Sequence, residues 1–142
     1  MKVYVDTSFL VSLYSPDANS AAAARTMQAS KGVHYLTFLA ELEVINAFEL
    51  RVFRKELSGS QAQASLKDFE NDTRNHVLQL CPLSDEVFER ARHLAKQNTA
   101  RLGTRTADLL HVAAALELGV EYLYSFDQQQ RKLAEAVRLK LN

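Results

Sequence analysis

The chain opens on an apolar, β-forming run that ends in an acid. Val3-Tyr4-Val5 rises to Asp6, and hydroxyl residues Thr7 and Ser8 follow before a new apolar stretch. A short strand that stops at an acid and passes at once into a helix belongs to a parallel sheet with helical crossovers. The pattern returns near the end, where Tyr122-Leu123-Tyr124-Ser125-Phe126-Asp127 precedes the polar run Gln128-Gln129-Gln130.

Between these two points, strand-like and helix-like segments alternate. The strands expected are Lys2 to Asp6, Val33 to Leu36, Val77 to Leu80, Val120 to Ser125 and, as a fifth, Val137 to Leu141. Thr7 or Ser8 is expected to cap the first helix. Further helices are expected from about Asn19 to Ser30, Thr37 to Leu57, Gln61 to Asn75, Ser84 to Asn98, Thr106 to Leu118 and Gln128 to Ala136. On the long helix after Thr37, apolar residues recur at helical spacing: Phe38, Leu42, Ile45, Phe48 and Val52. The fold class is therefore α/β, with a central, mostly parallel sheet of four to five short strands covered on both faces. The 142 residues suit one domain, and 4 glycines with 2 prolines leave little room for long loops.

Composition excludes several functions. The single cysteine, Cys81, rules out an internal disulfide and a cysteine-built zinc cluster. Nothing near it marks an activated thiolate, so it reads as a small hydrophobe. Lys plus Arg and Asp plus Glu balance at 17 each. A general nucleic-acid coat would be basic, so any contact with nucleic acid must be local. Only Lys2 precedes the first apolar run, and Phe9 to Tyr14 is too short for a signal peptide or a membrane span. A cytoplasmic protein with no membrane attachment is expected.

Four acids stand out. Asp6 and Asp127 lie just beyond strands, where ligands bind in open parallel sheets. Glu43 sits in Leu42-Glu43-Val44-Ile45-Asn46-Ala47-Phe48, on a turn expected to be buried on most sides and on the face of Asn46, Ala47 and Leu50. Asp108 starts a helix that is apolar nearly all round, Leu109 to Ala115. Taken singly, Asp6 and Asp127 are explicable as caps and Asp108 as a partner of Arg105. Taken together, one sheet edge can gather all four. Bare carboxylates so placed would repel by about 4 kcal/mol per pair at ~4 Å and an effective dielectric constant of about 20. Cations or protons must relieve that. An all-oxygen set selects Mg²⁺ or Mn²⁺, and the matching chemistry is metal-assisted phosphodiester hydrolysis.

Val5-Asp6-Thr7-Ser8-Phe9-Leu10-Val11, Leu42 to Phe48, and Arg105-Thr106-Ala107-Asp108-Leu109-Leu110-His111-Val112-Ala113-Ala114-Ala115 through Gly119 to Ser125-Phe126-Asp127 together resemble the PIN-domain family. The nearest likeness is to VapC-type toxins of toxin–antitoxin pairs. The resemblance covers essentially the whole chain, including Arg51-Val52-Phe53-Arg54. It implies a three-layer α/β/α sandwich and a Mg²⁺- or Mn²⁺-dependent endoribonuclease cutting RNA. It also implies a small antitoxin partner and a homodimer. The family's acids fall on Asp6, Glu43, Asp108 and Asp127. Its hydroxyl residue falls on Ser125, where threonine is commoner, and Ala107 replaces a larger apolar residue.

Supporting roles follow from position. Thr7 and Ser8 could cap or hold a phosphate oxygen. Asn46 could orient Glu43, and Arg105 could hold Asp108 or meet phosphate. His111 reads better as a satisfied core histidine than as a general base. Arg51, Arg54 and Lys55 form a basic face at i, i+3, i+4 spacing, available to RNA or antitoxin. Dehalogenase-like phosphatases and receiver domains also place an Asp after a first strand. The former want a second acid where Ser8 stands, and the latter an acidic pair and a strand-end lysine that are absent. A PIN-fold RNA-processing nuclease without an antitoxin and a non-cleaving PIN-fold binder are the remaining alternatives.

Overall fold

The computed structural model describes all 142 residues. In chain order the elements are β1 (Lys2–Val5), α1 (Thr7–Tyr14), α2 (Ser20–Ala29), β2 (Val33–Thr37), α3 (Phe38–Phe53) and α4 (Gly59–Arg74). Then come β3 (Leu78–Cys81), α5 (Asp85–Leu102), α6 (Thr106–Glu117), β4 (Tyr122–Tyr124), α7 (Gln128–Ala136) and β5 (Lys140–Leu141). The five strands lie in the order β3-β2-β1-β4-β5, and every pairing is parallel.

Strand alternation sends successive side chains to opposite faces, and the core divides accordingly. Val3, Val5 and Tyr124 join Phe9, Leu10, Val44, Phe48 and Phe69 on the face covered by α1 to α4. Tyr4 and Leu123 join Leu94, Val112 and Leu133 on the face covered by α5 to α7. The result is the three-layer α/β/α sandwich expected. Strand order runs outward from β1 in one direction through β2 and β3, and in the other through β4 and β5. The loops after β1 and β4 therefore diverge, which opens a crevice at the carboxyl edge. No helix is long and apolar enough to cross a membrane.

Local signals account for most boundaries. Thr37 caps α3 through Ala40 N at 3.2 Å, and Ser58 with Gln61 forms a reciprocal capping box on α4. α5 outlasts the expected end at Asn98 and stops at Gly103, whose φ of 65° is the left-handed closure that glycine takes without strain. α3 ends earlier than Leu57. Lys55 adopts φ 60°, and the Glu56 and Lys55 amides turn back to the carbonyls of Arg51 and Val52. The cap of α1 is neither Thr7 nor Ser8 but Asp6, which accepts from Phe9 N at 2.9 Å.

The face assignment of α3 also changes. Its core residues are Ala40, Val44 and Phe48. Phe38 and Leu42, expected in the buried stripe, are 52% and 64% exposed, and Phe53 is 82% exposed. At 100° per residue the helix presents three faces. One is the core face. A second, Glu43, Ala47, Leu50 and Arg54, borders the crevice. The third, with Phe38, Leu42 and Phe53, points outward.

Candidate active site

The crevice encloses about 610 Å³ and is lined by all four acids, Asp6, Glu43, Asp108 and Asp127. Three of them also hold helix starts, so each of those carboxylates serves the fold and the cleft together.

Asp6 is buried, only 2% exposed. Its backbone amide bonds Tyr124 O at 3.1 Å, which ties it to β4. Oδ1 accepts from Phe9 N and from Ser8 Oγ at 2.8 Å. Oδ2 accepts from Ser125 Oγ and from Gln130 Nε2 at 2.8 Å. Burial raises the carboxyl pKa above its usual range, and the donors, led by Ser125 and Phe9 N, offset only part of that. The cause is desolvation, not the repulsion between acids expected from their convergence.

Glu43 is less enclosed than its apolar neighbours suggested, with a third of its side chain exposed. Oε1 accepts from Thr7 Oγ1 at 2.8 Å and from His111 Nε2 at 2.6 Å. Partial burial raises its pKa, but the bonds from His111 and Thr7 and the nearby charge of Arg105 outweigh this and leave it lowered. His111 is 2% exposed and reaches Tyr4 Oη at 2.7 Å through Nδ1. Tyr4 Oη in turn lies 3.2 Å from Thr37 Oγ1. Thus a buried chain from β2 through β1 and α6 ends on Glu43. His111 is a satisfied core histidine that also aims a cleft carboxylate. Asn46, offered as the residue orienting Glu43, is exposed and does not line the cleft.

Asp108 and Asp127 share one cation. Asp108 is 2% exposed, and its Oδ2 accepts from Arg105 N at 3.0 Å and Nε at 3.1 Å. Its Oδ1 accepts from Arg105 Nη2 at 3.2 Å. The same Nη2 bonds Asp127 Oδ2 at 2.7 Å, while Asp127 Oδ1 caps α7 through Gln130 N at 3.1 Å. Partial burial works against ionising Asp127, but the bonds from Gln130 N and Arg105 hold its pKa below the ordinary value. The cation required by the acid pair is therefore partly supplied from within the chain.

The other candidates divide. Ser8 and Ser125 bind Asp6, and Thr7 binds Glu43. Ser125 Oγ also accepts from Asp127 N at 3.0 Å, which couples the two strand-end acids. Arg51 is committed to Asp17 and Ser15, each at 2.9 Å, although it borders the cleft. Arg54 lines the cleft from an exposed position. Lys55 lies past the end of α3 in the left-handed turn and does not line the cleft, so the three do not form one helical face. Cys81 is partly buried, and burial pushes its thiol up, away from a reactive thiolate.

Tyr4 and Gln130 are site residues that pattern reading passed over. Alternation along β1 already sets Tyr4 opposite Val3 and Val5. Gln130 stands three residues after Asp127, the capping-box spacing, but its amide reaches Asp6 instead.

Residues 3–136 match the family model described as PIN domain. The chain belongs to the PIN-domain family. No curated protein matches this PIN domain by sequence. Solved structures of similar fold include VapC20 of Mycobacterium tuberculosis, with a TM-score of 0.70 at 20% identity, covering 92% of this chain and 93% of that one. VapBC2 of Rickettsia felis gives a TM-score of 0.69 at 15% identity, over 100% and 98%. VapBC-1 of nontypeable Haemophilus influenzae gives 0.68 at 15% identity, over 100% and 97%.

The donor chemistry of this PIN domain suits a hard divalent cation, since every acid in the cleft offers oxygen. The arrangement is not a finished cage. No three His, Cys, Asp or Glu side chains stand ready around one ion. Asp6 and Glu43 are held by neutral donors and His111, and Asp108 and Asp127 by Arg105.

Proposed function

We propose that this PIN domain is a Mg²⁺- or Mn²⁺-dependent endoribonuclease and the toxin of a type II toxin–antitoxin pair, acting in the cytoplasm. The observation that carries the reading is the convergence of Asp6, Glu43, Asp108 and Asp127 on one cleft at the carboxyl edge of a PIN sheet. Support for the toxin role comes from the similar structures: one is of a toxin described as cleaving the sarcin–ricin loop, and another is of a VapBC pair bound to promoter DNA.

Asp6, Glu43 and Asp108 would hold the metal, with Asp127 as an outer or second-metal ligand. Bound metal supplies Lewis acidity and hydroxide at neutral pH. The chain supplies orientation. Ser8, Ser125, Gln130 and the Phe9 amide fix both oxygens of Asp6. Thr7 and His111 fix Glu43. Arg54, on the cleft wall without a carboxylate partner, is placed to meet a backbone phosphate. A net charge of zero leaves RNA binding to such local contacts.

The test is cleavage of total cellular RNA by purified protein in Mg²⁺ or Mn²⁺, with chelator as control, followed by mapping of the cut ends. Defined fragments that disappear with chelator are expected. Intact RNA under every condition would leave the non-cleaving binder as the better reading.

The outward face of α3 is the proposed homodimer contact. Phe38, Leu42 and Phe53 expose apolar surface on one side of one helix, which isolated surface residues do not do. Sedimentation velocity is expected to show a dimer that Leu42→Glu with Phe53→Glu converts to a folded monomer. An unchanged sedimentation coefficient would place the contact elsewhere. The antitoxin would cover the acidic cleft.

A further inference from the structure

Each of the two acids near Arg105 divides its oxygens between fold and cleft. Asp108 Oδ2 accepts from the Arg105 backbone amide at 3.0 Å as well as from Arg105 Nε at 3.1 Å, and Asp127 Oδ1 accepts from the Gln130 backbone amide at 3.1 Å. The two backbone bonds organise the starts of α6 and α7 and need no side-chain cation. The remaining oxygens, Asp108 Oδ1 and Asp127 Oδ2, have one partner between them. That partner is Arg105 Nη2, at 3.2 Å and 2.7 Å.

A single nitrogen bridging one free oxygen from each of two carboxylates occupies the place of a small cation. A divalent ion takes carboxylate oxygens at ~2.0–2.6 Å. Set between these two oxygens, it would fall on the place held by Nη2 and against the guanidinium's like charge, so one must give way to the other. The Arg105 side chain is 62% exposed, whereas that of Asp108 is 3% exposed. Arg105 can thus leave toward solvent without opening the core, and the backbone bonds keep both carboxylates aimed when it does. Glycine in the left-handed conformation two residues earlier, Gly103 at φ 65°, ends α5 and leaves the intervening loop short.

We propose that Arg105 is a resident counter-ion of the metal-free site, exchanged for the divalent cation on loading and competing with it for Asp108 and Asp127. This rests on the metal-dependent reading above. It explains how two acids remain close in metal-free protein. The consequence runs against ordinary intuition about active-site arginines. Removing the positive charge strengthens metal binding.

The experiment uses the full chain, stripped of metal. Mn²⁺ is titrated into wild type, Arg105→Gln and Arg105→Lys, with free Mn²⁺ read by electron paramagnetic resonance and folding checked by circular dichroism. Arg105→Gln is expected to bind Mn²⁺ about tenfold tighter than wild type, and Arg105→Lys to remain near wild type because its ammonium keeps the charge. In parallel, the wild-type Arg105 Nε–H resonance is expected to move on addition of diamagnetic Mg²⁺. Equal or weaker binding by folded Arg105→Gln overturns the proposal while leaving the nuclease reading intact. So does an Arg105 resonance unmoved at saturating Mg²⁺. If folded wild type and folded Arg105→Gln both fail to bind Mn²⁺, the metal-dependent reading itself fails and the proposal with it.

Discussion

Asp108→Asn is expected to lower Mg²⁺-dependent RNA cleavage by more than about 100-fold, beyond the ~10–100-fold loss typical of residues that only support a metal ligand. Asp6→Asn is expected to do the same. Both replacements keep side-chain size at positions only 2% exposed, so loss of activity should not reflect loss of fold. The amide oxygen introduced by Asp108→Asn can still accept from the Arg105 amide, and that introduced by Asp6→Asn can still cap α1 through Phe9 N. Cleavage at wild-type rate by either folded variant would remove that acid from the site.

Asp6→Asn carries a second expectation, in stability. The Asp6 pKa is raised by burial in the folded chain. A raised carboxyl stabilises the fold most below the unfolded pKa of about 3.9, and that contribution is lost as pH rises through the folded pKa. At neutral pH the burial of this carboxyl is therefore a burden on the metal-free protein. Metal-free Asp6→Asn should unfold at or above the wild-type temperature near pH 7, and its advantage should shrink toward acid pH. An advantage that grows as the pH falls would reverse the sign of the Asp6 shift. A site that is costly to hold empty is the usual trade between stability and function.

The second large effect lies on α3. Phe48→Ala is expected to cost about 3–5 kcal/mol, because a 1%-exposed aromatic leaves a cavity that its neighbours fill only partly. For a chain near this size that corresponds to a fall in Tm on the order of 10 °C. Leu42→Ala, earlier on the same helix, is expected to cost no more than about 0.5 kcal/mol in dilute protein, since Leu42 is 64% exposed. Thermal and urea unfolding of both variants checks the pair. Similar losses for the two would mean that the outward face of α3 is packed in solution.

That contrast marks where sequence reading reaches its limit. Phe38, Leu42, Ile45 and Phe48 recur at helical spacing, and the spacing correctly yields a helix. Periodicity reports that a face is apolar and says nothing of what covers it. Ala40 and Val44, not Leu42, share the core face with Phe48, because the rotation of α3 about its axis against α1 and α4 decides which apolar side is covered. Glu43 stands out in the sequence for its apolar neighbours, yet of these Val44 is buried and Leu42 is exposed. It borders the cleft for a different reason, its own angular position on α3.

The order of strands and helices, the acids at the ends of β1 and β4, and the helix starts at Thr37 and Ser84 are legible in the chain itself. Each depends on residues within about four positions of one another, where backbone geometry leaves few choices. The tertiary structure alone decided the partners. Tyr4, His111 and Glu43 meet across 107 and 68 residues of chain, Gln130 reaches Asp6 across 124, and Arg105 reaches Asp127 across 22. Such contacts depend on strand order and on how far each helix is turned about its axis. Both are settled by the packing of two apolar faces against one sheet, and no local pattern encodes them.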